Sequence, residues 1–297
     1  MLIGHDELRK DLLRLADERR LAHGYIFFGP PMVGKALFAM HLGAYLETGA
    51  FEYEAGHTVL GDTLLIEPKP EESSIGIDAV REIKNFLWQT SNRSPYRLVV
   101  VAAGELLTEE AENALLKVTE EPSPRGVIIV VLDDPERLLP TLRSRLQKIY
   151  FGPVAEGKVA LWAEEVLKLG AAEARELARA SFGAPGLLYR SQKDKRFKKT
   201  RLQAEEYLKT SAAARPAFVK KMVADDDAFD LDDFLGALAM LIYADQKALG
   251  RPDHRRLWHE LMALRRSAFH TPLNARLQLT ALAPLLEARS GSGRSGV

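Results

Sequence analysis

Five short runs of β-forming residues, at 24–28, 63–66, 98–103, 127–132 and 149–151, alternate along the first half of the chain with stretches of helical spacing. No other feature restricts the fold as strongly. Most of the runs are continuously apolar, as strands buried on both faces are. The stretches between them, 35–46, 78–89, 108–121 and 135–142, repeat apolar residues at helical intervals. So does the opening segment 2–21, through Leu8, Leu12, Leu13, Leu15 and Ala16. Strands alternating with helices predict an α/β fold with a parallel five-stranded sheet covered on both sides. After Pro153 the strand-like runs stop. Segments 156–169 and 173–180 read as helices, the cluster Gly183-Ala-Pro-Gly186 turns the chain and opens another, and 193–199 is a polar junction. Helical periodicity fills 200–288, and 290–297 is a flexible Gly/Ser tail. The expected domains are therefore 1–152 (α/β), 153–193 (small helical), 194–289 (larger helical) and the tail 290–297.

Composition excludes several classes of function. The 297 residues are 46% apolar, enough for real cores. Lys and Arg number 41 and Asp and Glu number 41, so no overall basic field drives nucleic-acid binding, and any such contact is local or shared with partners. The absence of cysteine rules out disulfides, thiolate zinc sites, iron–sulfur clusters and a Cys nucleophile. No apolar run approaches the ~20 residues of a membrane span, so the expectation is a cytoplasmic protein without membrane contact.

Gly29-Pro-Pro-Met-Val-Gly34-Lys35-Ala36 follows a strand and opens a helix. A phosphate-binding loop requires this context: backbone N–H groups face the anion and Lys35 reaches the outer phosphates. Two features contradict its chemistry. The last position, which normally supplies a magnesium-binding hydroxyl, is Ala36, and the strand at 98–101 runs into Ala102-Ala103-Gly104-Glu105, with methyls where two carboxylates are expected. Losing both removes charge neutralisation and water positioning, so no ATP hydrolysis by this chain is expected. Gly29, Gly34 and Lys35 are the candidate nucleotide-binding residues. The alternative is that they survive only as a tight strand-to-helix turn.

One arginine is placed to act elsewhere. The segment Glu136-Arg137-Leu-Leu-Pro140-Thr-Leu-Arg143-Ser144-Arg145-Leu146-Gln147 lies between two strands, at the rim of the sheet. An arginine at such a rim can reach a nucleotide held by a neighbouring subunit and offset charge on the transferring phosphoryl group. Arg145 is the candidate, its other reading being a surface ion pair.

Asn113-Ala-Leu-Leu-Lys117-Val-Thr-Glu120-Glu121-Pro122, followed by Asp134-Pro-Glu-Arg-Leu-Leu-Pro-Thr-Leu-Arg-Ser-Arg145, closely resembles the bacterial DNA polymerase III clamp-loader subunits of the AAA+ superfamily, and most of all their delta-prime branch. Ile75-Gly-Ile-Asp78-Ala-Val-Arg81, the loop at 29–35 and Gly183–Gly186 fit in the same order. The resemblance covers about residues 3–190 and is looser in the C-terminal helices. It implies a helical lid, a C-terminal collar and a place in a pentameric ring with gamma/tau ATPase subunits and a delta subunit. That ring opens a sliding clamp and loads it on primer–template DNA. It also implies a member that does not hydrolyse ATP, in which Ser144-Arg145, matching a Ser-Arg-Cys motif, supplies an arginine finger in trans, with Ser144 in support. The ATP and magnesium would then belong to the neighbour. Here the third position is Leu146, and the guanidinium rather than the thiol meets phosphate. The four-Cys zinc module of most relatives is replaced by the cysteine-free 47–61, so no zinc is expected. The rival readings are an active AAA+ ATPase using Lys35 and a non-catalytic replication or repair adaptor.

Other features read more plainly. His23 is taken as a packing or surface residue, and Trp88 as a core residue of its helix. Asp225–Asp227 with Asp230, Asp232 and Asp233 lacks the Gly and Glu of a calcium loop and reads as a solvated turn capping the next helix. Residues 251–297 hold eight Arg, no Lys and three acids, a bias that suits a subunit interface better than DNA. For Arg81, Arg93 and Arg97 the sequence does not separate a phosphate contact from an exposed charge.

Overall fold

The computed structural model describes residues 2–69, 72, 74–211, 213–224, 229–244, 260, 261, 263, 264 and 274–287. The chain divides into two compact units, Met1–Lys158 with Gly183–Pro185, and Val159–Phe182 with Gly186–Val297. The lid and collar segments expected from the sequence fall within this second unit, apart from 153–158 and 183–185.

The first unit is built on five parallel strands: β1 (Gly24–Phe28), β2 (Thr63–Ile66), β3 (Arg97–Val101), β4 (Gly126–Val131) and β5 (Gln147–Tyr150). Their order across the sheet is β2-β3-β4-β1-β5. β1 therefore lies between β4 and β5, in registers that pair Phe27 with Val131 and with Ile149. Successive side chains of β1 point to opposite faces. Phe27 meets Phe38 of helix α2 (Lys35–Thr48) and Phe151, with ring centroids 6.0 and 4.8 Å away. Ile26 joins Val99, Val101, Ile128 and Val130 on the other face, under Val80, Ile83 and Leu87 of α3 (Ile77–Leu87) and Ala111, Leu115 and Val118 of α4 (Glu109–Glu120). Both faces are covered, which explains why β3 from Leu98 onward and β4 from Val127 onward are apolar.

Local signals set the helix ends. The Thr108 side chain accepts a hydrogen bond from Ala111 N (3.2 Å) and Glu109, Glu110 and Glu112 crowd the first turn of α4, where the helix dipole favours anions. α2 begins after Gly34 and ends at Gly49, both with positive φ.

Several expectations change. The opening helix α1 is only Asp6–Asp17, because His5 takes a left-handed conformation before it. Segment 135–142 is not one helix but a 3-10 turn, Pro135–Arg137, followed by a single turn α5 (Pro140–Arg143): Pro140 cannot donate to the preceding turn and so restarts the helix. Trp88 is the C-cap of α3 and 58% exposed, so it is not a core residue. Arg97 is the reverse, 4% exposed. Its guanidinium donates to Gly61 O (3.0 Å) and Thr90 O and faces the buried Asp62 carboxylate (3.5 Å). Asp62 in turn accepts from the backbone N–H groups of Asn92, Arg93 and Ser94, which hold its carboxyl below its ordinary range against the opposing effect of burial. Arg97 thus braces a loop and is unavailable to a phosphate. His23 is half-buried, its carbonyl accepting from Ile128 N (3.0 Å).

Among its described residues the second unit is helical. Its helices are α6 (Glu156–Leu167), most of which lies in this unit, α7 (Ala171–Ala180), α8 (Pro185–Lys193), α9 (Lys195–Lys209), α10 (Arg215–Ala224), α11 (Leu231–Ala244) and α12 (Ala275–Glu287). Segment 193–199, expected to be a polar junction, contains the start of a helix: Asp194 accepts from Arg196 N and Phe197 N, opening α9, and Phe197 is fully buried. Tyr207 donates to Leu279 O (2.7 Å), and burial pushes its phenol up to about 12. Asp230 does cap α11, accepting from Asp233 N, but Asp233 is not solvated. Both its carboxylate oxygens accept from Arg190, at 2.7 and 2.5 Å. Asp225–Asp227, the tail 290–297 and most of the Arg-biased 251–297 lie outside the described residues.

Candidate functional site

The loop at 29–34 sits at the C-terminal ends of β1 and β4. Gly29 N donates to Asp133 O (3.3 Å) just beyond β4. Gly29 has φ 135°, and a Cβ there would lie 2.1 Å from the Phe151 carbonyl oxygen; only glycine lets the chain pass so close. Gly34 also has positive φ, and a Cβ on it would lie 3.0 Å from Leu2 Cδ1. His5 donates through Nε2 to Val33 O (3.0 Å), with its pKa lowered chiefly by burial, so the N-terminal segment is fastened to the loop by a neutral imidazole.

Lys35 does not project into open space. Its ammonium donates to Gly29 O (2.7 Å), Pro30 O (2.7 Å) and Asp133 Oδ1 (2.6 Å), and the side chain is 6% exposed. An ammonium has three protons, and all three are committed to the chain's own atoms. Beside this pair, burial raises the Glu105 carboxyl to about 7, the negative Asp133 adds to the rise, and Lys35 opposes it. The loop backbone has the form a phosphate needs, but the residues around it do not fit a magnesium-bound triphosphate. The lysine is neutralised by Asp133, and neither Ala36 nor the Ala102-Ala103 pair carries a side-chain oxygen.

A separate constellation joins α4 to the segment that follows β4. The Glu112 carboxylate accepts from Leu139 N (2.6 Å), fixing the start of α5. Past that turn Ser144 Oγ donates to Thr141 O (2.9 Å), and Arg145 donates from Nη1 to Thr141 O (2.9 Å) and from Nη2 to Glu120 Oε1 (2.8 Å). The Arg145 side chain is 37% exposed. Arg143 pairs with Glu136. Leu146 is a core residue under β1, where a Cβ on Gly24 would touch it, so an apolar side chain suits this third position of the Ser-Arg motif. Gly29, Gly34 and Lys35 thus come together beyond the carboxyl ends of β1 and β4, while Ser144 and Arg145 occupy a distinct place after α5.

Sequence reasoning missed Asp133, Glu105, His5 and Glu120 as parts of these two places. Asp133-Asp134 at the end of the 127–132 run was a usable signal, because ligands and charged groups gather beyond the carboxyl ends of parallel strands. A groove of about 400 Å³ between α3 and α4, lined by Ile77, Arg81, Lys84, Trp88, Lys117 and Glu120 among others, had no sequence signal. Among the described residues no group of three or more His, Cys, Asp or Glu is placed to hold a metal ion, and no helix is long and apolar enough to cross a membrane.

The sequence model for a family described as DNA polymerase III, delta subunit, matches residues 4–155. The chain is 31% identical over 264 residues to the DNA polymerase III subunit delta' of Pseudomonas aeruginosa, covering 82% of this chain and 80% of that one. The chain belongs to the DNA polymerase III delta-prime family. As a delta-prime relative it is 34% identical to the Escherichia coli subunit delta' over 125 residues, 42% of this chain and 37% of that protein. It is 28% identical to the subunit gamma/tau of Mycobacterium tuberculosis over 154 residues, 48% of this chain and 27% of that protein. Among solved structures, a DNA polymerase III gamma subunit-related protein from Thermotoga maritima superposes with a TM-score of 0.55 at 21% identity, covering 94% of this chain and 99% of that one. That likeness shows the α/β AAA+ fold with a helical C-terminal part. This delta-prime family member is a clamp-loader subunit.

Proposed function

We propose that this chain is the non-hydrolysing member of its clamp loader and that Arg145, supported by Ser144, acts on ATP held by a neighbouring ATPase subunit. The observation that carries this reading is the state of Lys35: its three protons are spent on Gly29, Pro30 and Asp133. A triphosphate entering the loop would have to displace the Asp133 carboxylate from a short, almost fully buried contact and leave it near its own negative charge. The guanidinium of Arg145 is also ion-paired, with Glu120, the surface pair of its other reading, but both side chains are part exposed, and this pairing and the Thr141 carbonyl engage two of its five N–H donors. In the proposed ring the neighbours are gamma/tau ATPase subunits and a delta subunit, the cargo is a sliding clamp placed on primer–template DNA, and the compartment is the cytoplasm. Nucleotide and magnesium belong to the neighbour, and this chain contributes one cation whose charge counts most when negative charge builds on the transferring phosphoryl group. Guanidinium groups acting in trans are worth about 10³–10⁵ in rate at the site they serve.

The test is the DNA-stimulated ATPase of the assembled loader. Arg145→Ala should lower kcat with assembly intact, whereas Lys35→Ala should leave turnover near that of the parent. Unchanged turnover with Arg145→Ala would remove the finger. Phosphate release by the isolated, homogeneous chain that vanishes on Lys35→Ala would establish an active ATPase instead.

A further inference from the structure

We infer that Glu120 is the positioning residue for Arg145: from the last turn of α4 its carboxylate fixes the plane of the guanidinium and turns its remaining N–H groups outward. The inference rests on the trans role proposed above and adds a second residue to it.

An arginine on a short connecting segment has many rotamers, and immobilising one at the moment of reaction costs entropy. Here two of its five N–H donors are already engaged, from two different elements. Nη1 is held by Thr141 O, four residues back, and Nη2 by Glu120 Oε1, twenty-five residues back. The first contact belongs to Arg145's own turn and alone leaves the guanidinium free to pivot. The second comes from a helix anchored in the core by Leu115 and Val118 and tied to the start of α5 through Glu112 and Leu139 N. α4 therefore grips both ends of the segment that carries Arg145. Three N–H groups remain for a phosphate, and a planar guanidinium held along one side presents them in a fixed fork. The end of α4 is also the negative pole of that helix, which adds to the carboxylate in favouring a cation at this spot.

A group placed about 1 Å off line costs on the order of 10²-fold in rate at the site it serves. Loss of Glu120 should therefore appear in kcat and not in the ATP KM, since the nucleotide is bound by the neighbour's own loop. The experiment uses the complete loader and compares Arg145→Ala, Glu120→Ala, Glu120→Gln, Glu120→Asp and the double Ala variant, with co-elution as the assembly control. Glu120→Ala and Glu120→Asp should lose most of the turnover that Arg145→Ala loses; the Asp variant keeps the charge but withdraws the oxygens by one methylene. Glu120→Gln, which keeps an acceptor oxygen at the same reach, should restore most of it, and the double variant should be no slower than Arg145→Ala alone. If Arg145→Ala slows the loader while Glu120→Ala and Glu120→Asp do not, the positioning role is wrong and the finger stands. If Glu120→Ala slows the loader equally with and without Arg145, Glu120 acts by another route and the inference falls. Should Glu120→Ala fail to co-elute, the Asp and Gln variants decide by the same comparison. Parent-like turnover in Arg145→Ala would instead defeat the reading on which the inference rests.

Discussion

Glu105 lies two residues past the Ala102-Ala103 pair and near Lys35 and Asp133, in an environment that favours the protonated carboxyl. Burial, with the neighbouring Asp133, brings it to about 7 from an ordinary 4.5. A carboxyl whose folded value is raised favours the folded state fully below the unfolded value, and that contribution is lost as the pH climbs through the folded one. Between about 4.5 and about 7 the chain should lose up to about 3 kcal/mol from this group. Glu105→Gln should flatten the stability profile over that window and raise the denaturation midpoint at pH 8, read by denaturant titration at several pH values. An unchanged profile would mean that Glu105 is ionised in the folded chain. Glu105 was in view in the sequence as part of Ala102-Ala103-Gly104-Glu105, but its partners were not. Lys35 and Asp133 are 98 residues apart, and only the pairing of β1 with β4 joins them. Arg145 was legible through its motif. Glu120 lies within the 113–122 motif, yet nothing in the spacing says that it meets Arg145.

Among the elements, the α4–α5 connection is held by one buried acid. Glu112 is 7% exposed, its carboxyl is raised chiefly by burial, and its acceptor role toward Leu139 N lowers it again. Replacing it by Ala leaves that N–H without its partner at a cost of about 1–3 kcal/mol. Glu112→Ala should lower the denaturation midpoint at unchanged m-value and speed amide exchange at Leu139, ahead of α5, before exchange in the sheet. Parent-like protection at Leu139 would count against the tether. Strands were the most readable elements: 24–28 and 63–66 are found with the same bounds, because each apolar run ends at a turn or polar residue. Short or charged elements were not. Proline inside 135–142 obscured a restart of the helix, and the charges of 193–199 concealed an N-cap followed by a buried phenylalanine. For Arg97 the sequence offers a phosphate contact or an exposed charge, and it is neither, because its partners, Asp62 and the carbonyls of Gly61 and Thr90, are set by tertiary structure alone.

For the whole molecule, nucleotide and stability should be uncoupled. A ligand that binds only the folded state at a hundred times its Kd adds about 2.7 kcal/mol. With Lys35 neutralised from within, millimolar MgATP should leave the thermal midpoint of the isolated chain where it was, and an upward shift would show that Asp133 yields to phosphate. The position of β1 has a further consequence, for how the chain is made. Gly24–Phe28 is synthesised first among the strands yet lies between β4 and β5, while β2 and β3 pair with each other much earlier. A nascent chain emerging from the ribosome therefore carries an unpaired apolar strand until Ile128–Val131 has appeared, so the interval of greatest risk of misassembly falls late in translation, and a polypeptide cut short before that point has no way to shield its own centre.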